Sequence, residues 1–167
     1  MKIVCDSFES PIGVITAHVA NNALIHLDFE DCSARTQRLL RRRFGDIQPK
    51  RTDNPLDIRD RIAGYFAGDW RAFENLELES GGTEFQREVW AELRRIPLGQ
   101  AISYADLAQS IQRPAAVRAV ARANALNPIA IIVPCHRVIG KDGTLTGYAG
   151  GLKRKEWLLR HEGALLV

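Results

Sequence analysis

The feature that most constrains this fold is a change in the apolar period around Gly81-Gly82. Before it, strand-like segments come first and helical ones follow; after it, apolar residues recur at helical spacing behind strong capping signals. At about 100–200 residues per domain, 167 residues allow one domain or two small ones, and the change of period favours two. Asn21-Asn22 separates "GVITAHVA" from "ALIHLDFE". Asparagine tolerates positive φ, so the pair predicts a tight hairpin. "CSARTQRLLRRRFG" predicts a helix closed by Gly45, and "NPLDIRDRIAGYFAGDW" predicts a second. Arg41, Arg42 and Arg43 read as the solvated side of the first of these, because adjacent residues cannot share one helix face. "RAFENLELESGG" then loses periodicity. The expected architecture is an N-terminal α/β domain over residues 1–80, a small antiparallel sheet with helices, followed by a mostly helical C-terminal domain over 81–167.

The second domain opens on Thr83 and Gln86, a capping-box pair, ahead of "EFQREVWAELRRI". Phe85, Val89, Leu93 and Ile96 fall on one helical face and are expected in the core. Ser103 predicts the cap of "YADLAQSI", with Asp106 favourable against the N-terminal dipole. Gln112-Arg113-Pro114 breaks that helix, and Pro114 suits the first turn of the next, "AAVRAVARANAL". Two short helices joined by a tight turn make a helix-turn-helix pattern. The second helix is thin, rich in alanine, with Arg118 and Arg122 four residues apart on one face. Such a surface suits close approach to phosphates; close helix packing is the plain alternative.

Charge points the same way. From Leu107 to Lys141 there is no Asp or Glu, while Arg113, Arg118, Arg122, Arg137 and Lys141 all fall there. A net charge of +3 decides little, but this run fits an anionic partner such as nucleic acid. No apolar run approaches the ~20 residues of a membrane span, and "MKIVCDSFES" is too short and acidic for a signal peptide, so a cytoplasmic protein is expected. Cys5, Cys32 and Cys135 are an odd count without framework spacing, which argues against a disulfide scaffold.

"IAIIVPCHRVIG" carries the chemistry. Its apolar run reads as a strand that ends at Pro134 and leads Cys135 out of the core beside His136 and Arg137. A thiol with pKa about 8.5 is only a few per cent thiolate at neutral pH, and the thiolate is the nucleophile. His136, Arg137 and a local helix N-terminus are each candidates to lower that pKa. Sequence neighbours do not normally point at one another, so a water bridge between Cys135 and His136 is expected rather than a direct bond. The imidazole needs a third group to fix its tautomer, and Glu162 in "LLRHEGALL" is the candidate. His161 reads as surface or packing.

"PCHRV", "GYAGGLKRKEWLLRHEG", "FQREVW", "ISYADLA" and "NPI" together resemble the O6-alkylguanine-DNA alkyltransferases, also called methylated-DNA–protein-cysteine methyltransferases. The resemblance is dense from Thr83 onward and loose before it. It implies repair by direct reversal. Alkylated guanine (and O4-alkylthymine) in double-stranded DNA is flipped out of the duplex, and Cys135 takes the alkyl group irreversibly, once per molecule, without a cofactor. By motif match, Arg118 resembles the finger that fills the emptied stack. Tyr104 resembles the phenol that rotates the nucleotide and donates a proton, and Asn127 the side chain tying the turn to the site. His136 and Glu162 resemble the relay that activates the thiol. Tyr148 and Ala149 fall in the loop over the base, the tyrosine stacking and the Ala149 N–H meeting the guanine oxygen. The Cys135 and Val138 carbonyls would accept from the exocyclic amine. Arg113, Arg122 and Arg137 are expected DNA contacts. Where the family commonly has a glycine and another small residue after Arg118-Ala119-Val120, this chain has Ala121 and Arg122, which bears on how deeply the helix inserts.

Some relatives carry an N-terminal zinc site, but Cys5, His18, His26 and Cys32 show no established zinc spacing, so no metal is expected. A monomer is expected, with cooperative clustering on DNA left open. Two rivals predict other behaviour: a cysteine hydrolase using Cys135, His136 and Glu162 would turn over without DNA, and a non-catalytic alkylation-damage sensor would lack the cysteine. A self-methylating transcriptional regulator would need a further cysteine-rich domain.

Overall fold

The computed structural model describes residues 1–164, so the last three residues of the expected second domain lie outside it. The first unit, Met1–Gly81, starts with a meander: β1 (Ile3–Phe8), β2 (Ile15–Ala20) and β3 (Ala23–Phe29). Asn21 and Asn22 both adopt positive φ, 52° and 59°, and turn β2 onto β3 as the sequence predicts. A short β4 (Lys50–Arg51) joins β1 in parallel, giving the order β3-β2-β1-β4, so the sheet is mixed rather than wholly antiparallel. Two exposed basic residues carry no alternation, which is why β4 is invisible to a periodicity argument.

Helix α1 (Ser33–Phe44) lies over Ile3, Ala20 and Ile25 through Leu40, with Phe44 partly buried beside them. Gly45 ends it at φ 74°. The second helix is shorter than its sequence pattern. Leu56 and Asp57 take positive φ, so α2 runs only from Ile58 to Phe66. Ile58, Ile62 and Tyr65 at i, i+4 and i+7 are its buried stripe.

The second unit begins at Gly82. Helix α3 (Glu84–Leu93) has the predicted capping box: Thr83 accepts from the Gln86 N–H while the Gln86 side chain accepts from the Thr83 N–H. Val89, Leu93 and Ile96 are buried, whereas Phe85 is only half-buried and Trp90 takes the remaining core place. The Trp90 indole N–H donates to the Ala123 carbonyl at 2.8 Å and pins α3 to α5 (Val117–Ala125).

Ser103 caps α4 (Tyr104–Ser110) through a capping box with Asp106. The turn to α5 is closed by Gln112 at φ 61°, with the Arg113 N–H returning to the Ala108 carbonyl, a Schellman-type exit. Pro114 is therefore not in the first turn of α5; the proline sits in the connecting turn, and the helix starts at Val117. Helix α5 buries Val120, Ala123 and Asn124 and exposes Arg118, Ala119, Arg122 and Ala125. Its alanines thus serve both expected ends, Ala123 in packing and Ala119 on the thin outer face.

The apolar run Ile129–Val133 is not a strand. Ile131 adopts φ 71°, which a β-branched residue rarely does, and the backbone folds on itself. The Ile132 N–H bonds the Ala130 carbonyl, and the Val133 N–H bonds the Ile129 carbonyl. Burial without a ladder requires another source of partners, and Asn127 provides it. Its Nδ2 donates to the carbonyls of Val133 (2.7 Å) and Ile129 (3.3 Å), and its Oδ1 accepts from the Ile129 N–H. An apolar run reads alike in a buried strand and a buried coil, so periodicity alone misassigned it. Short strands β5 (Ile102–Ser103) and β6 (Val138–Ile139) then pair in parallel, bringing the start of α4 beside the residues after Cys135. Helix α6 (Leu152–His161) closes the unit. Among the described residues no helix is long and apolar enough to cross a membrane.

Candidate active site

Cys135 begins a single 3-10 turn, Cys135–Arg137. It is not led out of the core: only 8% of it is exposed. One turn of three residues has little macrodipole, so the helix-terminus route to an acidic thiol is weak here.

His136 is wholly buried, and its Nε2 lies 2.9 Å from Glu162 Oε2. Glu162 caps the end of α6, where the chain turns back toward the 3-10 turn. Arg137 Nε donates to Glu162 Oε1 at 2.8 Å, its Nη2 to Oε2 at 3.0 Å, and its Nη1 to the Ile96 carbonyl at 2.9 Å. Arg137, an expected DNA contact, is thus already engaged as an internal partner of Glu162. A buried carboxylate accepting from one imidazole needs a full counter-charge, and this guanidinium meets it two-handed.

The charge states follow. Burial pushes the Glu162 carboxyl up, but its bonds to His136 and Arg137 outweigh that and hold it at about 2. Burial lowers His136 most, the Glu162 bond opposes it, and the positive charges of Arg137 and Lys155 lower it further. A neutral imidazole bonded through Nε2 to a carboxylate carries its proton there, which makes Nδ1 the basic atom. Nδ1 is buried and meets no hydrogen-bonding atom among the described residues.

Tyr104, first residue of α4, is half-buried, and its hydroxyl donates to the Thr146 carbonyl at 3.3 Å. Burial raises its pKa and the charge of Cys135 raises it further, while the Thr146 bond opposes them. Gly147 sits at φ 49°, and an added Cβ would come 3.6 Å from that hydroxyl. Tyr148 is half-buried and Ala149 exposed in the same loop. Asn127 and Cys135 lie at opposite ends of the folded apolar run. Asn124, which the sequence reading passed over, donates to the Cys135 carbonyl at 3.4 Å.

The basic stretch separates into two kinds of residue. Arg113 pairs with Glu88 of α3 at 3.2 Å and stacks over Phe85, so an acid from outside the stretch already engages this expected DNA contact. Arg118 and Arg122 are exposed on α5 and have no protein partner among the described residues. Val138 is buried, and its carbonyl accepts from Lys155 Nζ. Lys155 is the largest omission of the sequence reading. It is fully buried on α6 and also donates to the carbonyls of Thr146 (2.6 Å) and Gly147 (3.1 Å). Its signal was its spacing: Lys155, Leu158, Leu159 and Glu162 share one buried helical face.

In the first unit, His18 and His26 are register partners on β2 and β3, with ring centroids 6.1 Å apart. Cys5 is the strand partner of His18, while Cys32 precedes α1. Among the described residues no three His, Cys, Asp or Glu side chains gather as a metal site.

The family profile described as "6-O-methylguanine DNA methyltransferase, DNA binding domain" matches residues 84–164. A methylated-DNA–protein-cysteine methyltransferase of Salmonella typhimurium is 60% identical over 114 residues, 68% of this chain and 67% of the relative. One from Mycolicibacterium paratuberculosis is 42% identical over 166 residues, covering 95% of this chain and 94% of its own. The crystal structure of the Mycobacterium tuberculosis O6-methylguanine methyltransferase superposes with TM-score 0.80 at 38% identity, over 96% of this chain and 93% of that one. A second M. tuberculosis structure, in complex with DNA, gives 0.82 at 39% identity over 95% and 92%.

Proposed function

The chain belongs to the methylated-DNA–protein-cysteine methyltransferases, and from that premise we propose that it repairs DNA by moving the alkyl group of O6-alkylguanine onto Cys135, once per molecule. The observation that carries this reading is the buried Glu162–His136 bond, which leaves a neutral, basic Nδ1 in the residue next to the thiol. A buried ring atom without a protein partner is commonly met by an ordered water, and such a water would pass the Cys135 proton to Nδ1.

The bond changes balance simply. The Cys135 sulfur bonds the alkyl carbon, the carbon–O6 bond breaks, and guanine leaves with the electron pair. Tyr104 supplies the proton that the departing base takes up, and its raised pKa keeps that proton in place until then. The product is a thioether, a poor leaving group, so the cysteine is not regenerated. The same displacement serves O4-alkylthymine, whose alkyl carbon is also bonded to an exocyclic oxygen.

A base inside the stack is out of reach of a thiol that is 8% exposed, so the nucleotide must be extruded. The thin face of α5 suits groove entry, with Arg118 filling the vacated stack and Arg122 adding a phosphate contact. Tyr148 stacks on the flipped base and the Ala149 N–H meets O6. The Val138 carbonyl accepts from Lys155, and the Cys135 carbonyl from Asn124 at a long 3.4 Å and from the Val138 N–H, so the exocyclic amine would bond the Val138 carbonyl and displace or share the weak Asn124 bond at Cys135. Asn127 holds the folded run that fixes the thiol's position. The reading needs no cofactor and a cytoplasmic monomer suffices for it.

Cys135→Ser separates the parts of this reading. Duplex DNA containing O6-methylguanine should still be bound, and methyl transfer should vanish. Loss of both, or transfer retained on another residue, contradicts it.

A further inference from the structure

Lysine is rarely buried, because an ammonium loses several kcal/mol of hydration unless a counter-charge meets it. Lys155 is 0% exposed, and among the described residues no carboxylate lies within ion-pair distance of it. Its three partners are all carbonyls: Val138 at the end of the Cys135 turn, and Thr146 and Gly147 in the loop. The Val138 N–H in turn bonds the Cys135 carbonyl, so one residue links the ammonium to the cysteine turn.

Three other titratable groups of the site, among the described residues, offer no spare positive charge. Arg137 is held two-handed by Glu162, His136 is neutral, and Tyr104 keeps its proton. Burial lowers Lys155 to about 8, and the one charge that pulls it back up is Cys135.

Resting on the alkyl-transfer reading above, we propose that Lys155 is a positioning residue with two linked duties. Its ammonium is the counter-charge that makes Cys135 anionic, and its carbonyl bonds tie the 146–147 loop to the reaction corner. The two duties are linked because alkylation removes the negative charge. A thioether cannot pair with the buried ammonium, which then loses its reason to stay protonated and donating. The Thr146 and Gly147 carbonyls lose a donor, Tyr104 alone holds the Thr146 carbonyl, and the loop over the product base loosens. Reaction itself would thus release the loop.

The test uses iodoacetamide, a neutral thiol reagent, with DNA absent and the modified cysteine located by mass spectrometry. The pH midpoint of Cys135 capping should rise by about one unit or more in Lys155→Met and Lys155→Gln. Cys5 and Cys32 in the same samples should not move. Amide hydrogen exchange over residues 146–150 provides the second arm. Capping Cys135 should speed exchange there in the unsubstituted protein and add little in Lys155→Met, where the loop is already loose. An unmoved midpoint in a folded variant overturns the proposal, leaving Lys155 a structural clamp. Equal acceleration in both proteins overturns it too, since that is a steric effect of the cap. If neither variant folds, exchange in the unsubstituted protein decides: no acceleration on capping overturns the proposal. Failure of methyl transfer from O6-methylguanine duplex would instead defeat the alkyl-transfer reading, with the capping profile unaffected.

Discussion

The molecule buries two sets of histidines and treats them differently. In the sheet, His18 and His26 face each other, neither ring is paired with a carboxylate among the described residues, and burial lowers them to about 4 and about 3. In the second unit, burial lowers His136 as well, yet its Nε2 is held by a carboxylate that a guanidinium holds in turn. Burial alone makes an imidazole neutral; it does not choose which nitrogen keeps the proton. The difference is between a ring that fills space and a ring whose free nitrogen is defined, and only the second can accept a proton on schedule.

The comparison breaks most visibly at Glu162. Glu162→Gln should leave the partly buried Arg137 without its counter-charge and free the His136 tautomer. Methyl transfer in a single-turnover assay should fall by about a hundredfold or more, and urea unfolding should show a loss of about 3 kcal/mol. A variant with unchanged transfer would mean that the ring's orientation does not matter.

Acid sharpens the contrast next. His18, His26 and His136 all have folded pKa values below the unfolded 6.5, so the unfolded state binds more protons as pH falls. Their contribution to stability is complete above about pH 6.5 and declines below it, toward about 4 for His18 and about 3 for His26, by about 1.4 kcal/mol per pH unit for each. Glu162 adds a later loss, from its unfolded value of 4.5 down toward 2. Replacing His26 with Phe should flatten the decline between pH 6.5 and 4 in a denaturant series without altering methyl transfer at pH 8. A slope identical to the parent's would show that the sheet pair does not titrate on unfolding.

The smallest effects concern DNA. Arg122→Ala should reduce the salt slope of duplex binding by about one, as one phosphate contact is lost. Arg113→Ala should change it less, because Glu88 already engages that guanidinium. Equal changes would show that the Glu88 pair opens on DNA.

Much of this was legible in residue order because it is local. The Thr83 and Ser103 caps, the Asn21-Asn22 turn and the Cys135-His136-Arg137 triplet depend on neighbours a few positions away, and the structure has them all. Glu162 was reachable only as a candidate, since what aims it at His136 is the placement of α6. What was not legible is tertiary in cause. Arg137 and Arg113 looked like free cations because their acids lie 25 residues away in sequence in each case, at Glu162 and Glu88. Lys155 was hidden in the basic run "LKRKEWLLR", where composition argues for surface and only helical phase argues for burial. The Ile129–Val133 run looked like a strand because nothing local shows that Asn127 will satisfy its backbone.

Mass spectrometry after incubation with a duplex carrying isotopically labelled O6-methylguanine measures the central claim most directly. The account predicts one labelled methyl per molecule, on the Cys135 peptide, with no second turnover when fresh duplex is added. Label on any other side chain, no label at all, or continued turnover would contradict it.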